Sequence, residues 1–360
     1  MSRPSRTDPL LLEVTRRILR EVADPQTRRS RADGRAAAWR TLEDNGLAQA
    51  WTAEASGGAG ASIADGFEIA TLAGEFALDV PLVETLLAGW LIAAAGLSAP
   101  AGKLAPIGAA AVLAGKAGGG VAVDDRDRLH GRAAAVPFAR EVDRFAVVAQ
   151  RGGEPFVALV DRAACAIHPR NNLAGEPRDT VIFDGAVPSA LAVAPVGLDE
   201  RLLAMGAVAR ACQIAGALRG ILDRTVAYAG ERVAFDRPLA KFQVIQHALA
   251  RLAGETAIAL ASSGSAADAL AADDADAGGL LLEVASAKIR AGEAAAAGAA
   301  IAHQVHGAIG FSTEHPLHLY TQRLWAWRDD FGSESVWAVR LGSHVAAAGA
   351  DALWPLVAAR

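Results

Sequence analysis

At 360 residues the chain can hold two or three domains with cores of their own, and its 52% hydrophobic content with recurrent Ala-rich runs favours helix. The net charge is -5, from 35 Lys and Arg against 40 Asp and Glu, with no basic stripe or tail, which argues against nucleic acid as a partner. Cys165 and Cys212 are too few for a disulfide framework and read as small buried hydrophobes. The apolar run near the N-terminus is too short for a signal peptide, and Leu86 to Ala99 is shorter than a membrane span, so a cytoplasmic protein without membrane association is expected.

In chain order, the first ~100 residues read as helices. Leu10, Leu11, Val14, Ile18, Leu19 and Val22 recur at helical spacing, and Ala38, Trp39, Leu42 and Leu47 continue it up to and past the Asn45-Gly46 break. A loop follows from Gly57 to Ser62, then an apolar helical stretch from Phe67 to Gly96 interrupted near Pro81. Between about Pro100 and Pro195 the β-prone runs Gly120–Val123, Phe145–Ala149, Phe156–Val160 and Thr180–Phe183 stand between turn residues. From Glu200 the pattern is helical again: about Arg201 to Tyr228, Leu239 to Leu270, Leu280 to Val305, and a fourth helix from near Trp337. An acidic loop with Asp273, Asp274, Asp276, Gly278 and Gly279 separates the second from the third. The fold class is therefore α+β, mainly α: an N-terminal helical domain (1–103), a small central β domain (104–197) and a C-terminal four-helix bundle (198–360).

Few motifs carry chemistry alone. The Gly57-Gly58-Ala59-Gly60 loop follows no clear strand and reads as a turn rather than a phosphate cradle. Gly115-Lys116 with Gly118, Gly119 and Gly120 lacks the glycine spacing and hydroxyl of a phosphate loop. His303, His306, His315 and His318 look like two ligand pairs. No Glu-x-x-His pattern accompanies them, so surface or capping histidines are expected and no metal. Two segments stand out more. From Gly230 to Leu239 a helix ends at a glycine, and Arg232 and Phe235 project before Pro238 opens the next helix. A guanidinium suits a pyrophosphate and an aromatic suits adenine, although an interhelical turn fits as well. From Gln304 to Phe311 a helix ends with Gly307 and Gly310, which permit close approach by a ligand.

Together these segments resemble acyl-CoA dehydrogenases. Arg232, Phe235, Asp236, Leu239 and Gln243 stand where that family has R-x-x-F-G-x-x-L-x-x-x-Q. Ala287-Lys288 matches its Ala-Lys. Gln304, Gly307, Ala308, Gly310, Phe311, Thr313, Glu314 and Pro316 match its Q-x-x-G-G-x-G-[FY] turn, and Arg323 follows. Near the N-terminus Trp39, Leu42, Gly46 and Leu47, the Gly57 to Gly60 loop, and Pro81 with Glu84 are similar too. The resemblance implies an acyl-CoA substrate, FAD shared between subunits, and an electron-transfer acceptor. Arg232, Phe235, Gln243, Gln304, Gly307, Ala308 and Ser333 become cofactor-binding candidates, the first five for the ADP half of a neighbour's FAD.

The chain departs from the family where a subunit builds the flavin-ring half of its own site. The Thr-Glu-Pro-Gly-rich flavin motif is not found; LAPIGAAAVLAGKAGGG stands there, and AAAVPFAREVD replaces the Trp-x-Thr element. The family's Tyr-Glu-Gly-Thr aligns with Asp330-Phe331-Gly332-Ser333, which puts Phe331 in place of the catalytic base. Some members carry the base at the start of the bundle's first helix, but here no acid lies within a turn after Gly206. Asp330 is the nearest acid, and Asp329 and Asp330 are expected to be solvated. These losses suggest a subunit of a heteromeric acyl-CoA dehydrogenase that binds FAD only with a sister chain. The resemblance extends to two-gene bacterial enzymes for bulky acyl thioesters such as steroid side chains. Two alternatives stand beside it: a self-sufficient homodimer or homotetramer with a displaced base, and a flavin-free structural or regulatory bundle.

Overall fold

The structure, a computed structural model, describes residues 7–23, 34–54, 57–108, 120–272 and 277–358. The Gly115 to Gly119 and Asp273 to Asp276 stretches lie outside the described residues. The fold is mainly helical with a central sheet and divides into two compact units, residues 7–66 with 79–206 and residues 67–78 with 207–360. A three-domain division at 103 and 197 remains a proposal beside that grouping.

The first unit opens with helix α1 (Pro9–Val22). Asp8 caps it by accepting the Leu10 N–H at 2.9 Å, and Pro9 takes the first helical position, where its missing donor costs nothing. Helix α2 (Gly34–Asp44) buries Trp39 and Leu42, and Gly46 then turns the chain at φ +72. The Gly57 to Gly60 loop is a tight turn: a Cβ on Gly58 would lie 2.1 Å from the Thr52 carbonyl oxygen. Helix α3 (Ile63–Glu75), which from Phe67 onward belongs to the second unit, precedes the Pro81 break, and α4 (Leu82–Ala94) follows it.

The sheet contains β1 (Leu104–Ile107), β2 (Val121–Val123), β3 (Leu129–Pro137), β4 (Arg144–Arg151), β5 (Glu154–Asp161), β6 (Ala166–His168), β7 (Arg178–Ala186) and β8 (Ala190–Val193). Its order is β6-β7-β3-β2-β4-β5-β8, with β1 parallel to β4. The four expected runs are the buried stretches of β2, β4, β5 and β7. Those left out are β1, which contains Pro106; β3, half exposed and broken by register shifts; and the short edges β6 and β8. None presents a clean apolar alternation, the signal by which strands are read.

In the second unit the core is α5 (Leu198–Glu231), buried throughout from Ala207 to Leu218. By length and composition it could cross a membrane, but 89% of that window is buried inside the fold, so it is a core helix. Its glycines let α3 approach backbone to backbone: a Cβ on Gly216 would sit 1.8 Å from the Thr71 carbonyl oxygen. Helix α6 (Gln243–Ala271) buries Leu252, Thr256, Ala259, Ser263, Ala266 and Leu270, a small-residue seam for close packing against α7 (Ala277–His306). Helices α8 (Leu317–Trp327), α9 (Glu334–Ala348) and α10 (Ala350–Ala358) complete the unit. The sequence reading missed α8; among its 11 residues Leu317, Tyr320, Thr321, Leu324 and Trp327 are buried, too short a stretch to declare a period.

Candidate functional site

The link between α5 and α6 corrects an expectation. The helix passes Gly230 and ends at Glu231, and Pro238 does not open the next one. Instead β9 (Val233–Ala234) pairs antiparallel with β10 (Arg237–Pro238) around a two-residue turn of Phe235 and Asp236, at φ +51 and +61. Two successive left-handed residues reverse the chain in register with its twist, so the short strands pair. The Leu239 N–H donates to the Arg232 carbonyl at 2.8 Å and closes the hairpin. A 3-10 turn (Leu239–Lys241) then leads to Gln243, the first residue of α6. The aromatic at 235 hid the hairpin, because such turns usually show Asn-Gly.

This hairpin presents its side chains outward. Phe235 is 90% exposed at the tip, edge-on to Phe242 at 6.3 Å. The Arg237 guanidinium lies 4.1 Å from the centroid of the Phe242 ring. Arg232 and Gln243 are exposed as well. A guanidinium fork, a free aromatic face and an amide are a donor set that fits a pyrophosphate linked to a purine.

The same end of the bundle holds the turn after α7. Gly307 adopts φ +65, and the chain makes a 3-10 turn (Gly307–Phe311) before α8. Gln304, Gly307 and Ala308 are exposed. Ala308 is not among the described residues with positive φ, so a Cβ is tolerated where the family pattern has its second glycine. The Tyr228 hydroxyl donates to the His306 carbonyl at 3.3 Å, and the two rings stack at 4.5 Å. That contact brings the ends of α5 and α7 together, and with them the hairpin and the Gln304–Gly307 turn.

The histidines depart from expectation. His303 and His306 are buried, not surface residues, because the turn folds back over the last turn of α7. His303 stacks between Phe311 at 4.2 Å and Trp325 at 6.0 Å. His315 does cap: its Nδ1 accepts the Leu317 N–H at 3.2 Å, at the start of α8.

Further back along α7, the surroundings of Lys288 are built differently. Lys288 is fully buried, and its ammonium donates to the carbonyls of Arg328 at 2.5 Å and Gly332 at 2.6 Å. Burial pulls its pKa down to about 8, against the opposing effect of Asp330. Between those carbonyls lies half-buried Phe331, at φ +55, with its own carbonyl accepting the Trp337 indole N–H at 2.9 Å. Asp330 is not solvated as expected: it is 2% exposed and accepts the Arg210 Nε–H at 2.9 Å. Arg210 also bonds Gln213 and lies 5.9 Å from the Trp327 ring centroid. Asp329 is exposed, as expected. Ser333 is the N-cap residue of α9, with its Oγ 3.0 Å from that of Ser335.

Thus the candidates form two groups. Lys288 and His306 are 18 residues apart on one helix, roughly 27 Å at 1.5 Å per residue. Ser333 and Asp330 belong to the group around Lys288; Arg232, Phe235, Gln243, Gln304, Gly307 and Ala308 belong to the other. Sequence reading missed Arg210, Gln213 and Tyr228. Only Arg210 left a signal, as a charge in the apolar run around Ala209 and Ala211, where burial demands a partner. Cys212 is buried, with its thiol raised to about 12 by desolvation, whereas Cys165 is only half-buried, on the rim of the sheet.

Comparison with known proteins gives a consistent picture. Residues 197–328 match the family model "Acyl-CoA dehydrogenase, C-terminal domain". The chain is 27% identical over 319 residues to a protein named acyl-CoA dehydrogenase IpdE2 from Mycolicibacterium smegmatis, covering 87% of this chain and 91% of that one. The fold superposes on a chain of the ChsE4-ChsE5 complex from Mycobacterium tuberculosis with TM-score 0.84 at 23% identity, covering 97% and 100% of the two chains. A second solved structure, the Tcur3481-Tcur3483 steroid ACAD, gives TM-score 0.81 at 25% identity, covering 94% and 97%.

Proposed function

For this chain, whose residues 197–328 match the acyl-CoA dehydrogenase C-terminal domain, we propose membership of the acyl-CoA dehydrogenase superfamily and the role of partner subunit in a heteromeric enzyme, lending the ADP half-site for a sister chain's FAD. The observation that carries the reading is the state of the base position. Phe331 cannot accept a proton, and the nearest acid, Asp330, is held by the buried Arg210 guanidinium. Removal of an α-proton needs a base within hydrogen-bond reach. A displaced base at Asp330 would first have to leave that ion pair, which disfavours the self-sufficient alternative.

The lent half is complete by the same chemical test. Arg232 offers a fork to the pyrophosphate, Phe235 a stacking face to the adenine, and Gln243, Gln304 and the Gly307 backbone polar contacts around them. Bound FAD supplies the hydride acceptor for the family's α,β-dehydrogenation. The roughly 27 Å along α7 between the two groups fits a chain whose ends serve different active sites. Two of the similar solved structures, ChsE4-ChsE5 and the Tcur3481-Tcur3483 steroid ACAD, are pairs of chains, which supports a sister subunit and a bulky acyl-CoA substrate.

Purification alone and with co-expressed products of adjacent genes tests this. The expected result is a colourless chain without acyl-CoA dehydrogenase turnover, and a yellow, active complex. Phe331→Glu should leave that complex unchanged, whereas general-base catalysis restored at a working site would raise turnover by about a hundred- to ten-thousandfold. A chain that purifies alone with one FAD per subunit and turns over until Asp330→Asn stops it would establish the self-sufficient alternative. A colourless, inactive chain with every adjacent product would leave the flavin-free bundle.

A further inference from the structure

We infer that His303, His306 and His315 are positioning residues for the Gln304–Phe311 turn, that they act only as neutral imidazoles, and that the turn opens on mild acidification. This rests on the half-site reading for its consequence, but its physical basis is the packing under the turn.

Each ring is fitted in place. The His306 Nδ1 faces the Ala302 carbonyl at 2.8 Å, so it carries the proton and leaves Nε2 as a buried acceptor without a partner. That ring lies between Tyr228 at 4.5 Å and His315 at 4.6 Å. His303 meets the Thr321 hydroxyl through Nε2 at 3.0 Å, and its Nδ1 is also buried without a partner. A Cβ on Gly310 would sit 3.3 Å from that Nδ1 and 3.0 Å from the His306 Cβ, so turn and rings are closely fitted. His315 spends its Nδ1 lone pair on the Leu317 N–H, and its carbonyl accepts from His318 Nδ1 at 2.7 Å.

Desolvation is the largest effect on each ring and opposes a positive charge; among the groups acting on them only the Ala302 carbonyl, on His306, acts the other way. Helix α5 contributes Tyr228 and Arg224; α7 contributes His303 and His306; α8 contributes His318, Thr321, Arg323 and Trp325; and the turn contributes Phe311, His315 and exposed Glu314. Desolvation lowers the pKa of His303 and His306, and that of His315 to about 4, reinforced for His315 by His306, Arg224 and His318. No carboxylate is among the groups acting on these three. Because the folded pKa lies below the unfolded 6.5, the stabilisation is complete above pH 6.5 and is lost as pH falls from there through about 4.

The test begins with the FAD-free chain. Imidazole proton resonances are followed with pH, and thermal midpoints are taken between pH 7.5 and 5 for wild type, His315→Phe and His306→Phe, which keep the ring stacking. Ring titrations below the ordinary value and a fall in the folding equilibrium of about tenfold on acidification, allowing for solvent screening, are expected, with a smaller fall in each variant. If His306→Phe does not fold, His315→Phe decides alone. Rings titrating at their ordinary value in the folded chain, or equal pH profiles for wild type and His315→Phe, would overturn the inference. In the FAD-loaded complex, cofactor retention should fall over the same range in wild type and less in His315→Phe; retention indifferent to pH would also overturn it. The half-site reading fails separately, if Arg232→Ala leaves retention at pH 7.5 unchanged.

Discussion

Two regions along α7, around Lys288 and at its C-terminal end, make opposite use of polar groups. Around Lys288 they are buried and paired: an ammonium on two carbonyls, a guanidinium on Asp330, an indole on the Phe331 carbonyl. At the Gly307 end the polar groups of Arg232, Gln243 and Gln304 face outward beside an almost fully exposed phenylalanine. Satisfied internal polar networks rigidify; unsatisfied exposed ones, displayed with an aromatic, suit a ligand or a second chain. The difference teaches that polar groups along one helix can serve the core in one place and face solvent in another.

That contrast can be broken in either region. The largest effect is expected from Arg210→Met, which removes the Asp330 partner inside the core. Chemical denaturation should show a loss of about 3–5 kcal/mol. The double variant Arg210→Met with Asp330→Leu should recover most of it, since a well-packed apolar pair replaces an ion pair at little net cost. If the single variant is as stable as wild type, the buried network around Lys288 and Asp330 is not a structural lock.

At the exposed end, Arg232→Ala should leave the melting temperature of the FAD-free chain unchanged and weaken FAD retention by the complex about ten- to a hundredfold, the worth of one charge-assisted hydrogen bond. Equilibrium dialysis of the complex reads it directly, and a loss of fold rather than of cofactor would place Arg232 with the structural residues.

The smallest effect sharpens the comparison. Phe235 and Asp236 occupy left-handed conformations that Asn and Gly adopt more readily. Replacing them together, Phe235→Asn and Asp236→Gly, should stabilise the chain by about 1 kcal/mol while lowering FAD retention. Strain kept where an aromatic is displayed is characteristic of functional sites. Unchanged retention would mean that the tip does not touch the cofactor.

How much was legible follows from what each feature rests on. The long helices, the strands with continuous apolar runs and the family motifs were readable, because periodicity and spacing are properties of neighbouring residues. Helix α8, the hairpin at Phe235 and the sheet edges were not, because each is stabilised by what it packs or pairs with rather than by its own pattern. The site divides in the same way. The reading that puts Phe331 at the base position came from likeness to the family pattern; that Asp330 is tied to Arg210, 120 residues earlier in the chain, was not legible.

By itself, then, the sequence determined the mainly helical architecture, the likeness to acyl-CoA dehydrogenases and the types of residue at each candidate position. Only the tertiary structure decided which side chains meet solvent and which meet one another. Burial turned Asp330 and Lys288 into partners of a core network and turned His303 and His306 inward, while the hairpin left Arg232 and Phe235 outside. The physical reason is that the state of a charged or imidazole group is set by its distance to other groups and to water, and those distances arise between segments far apart in sequence.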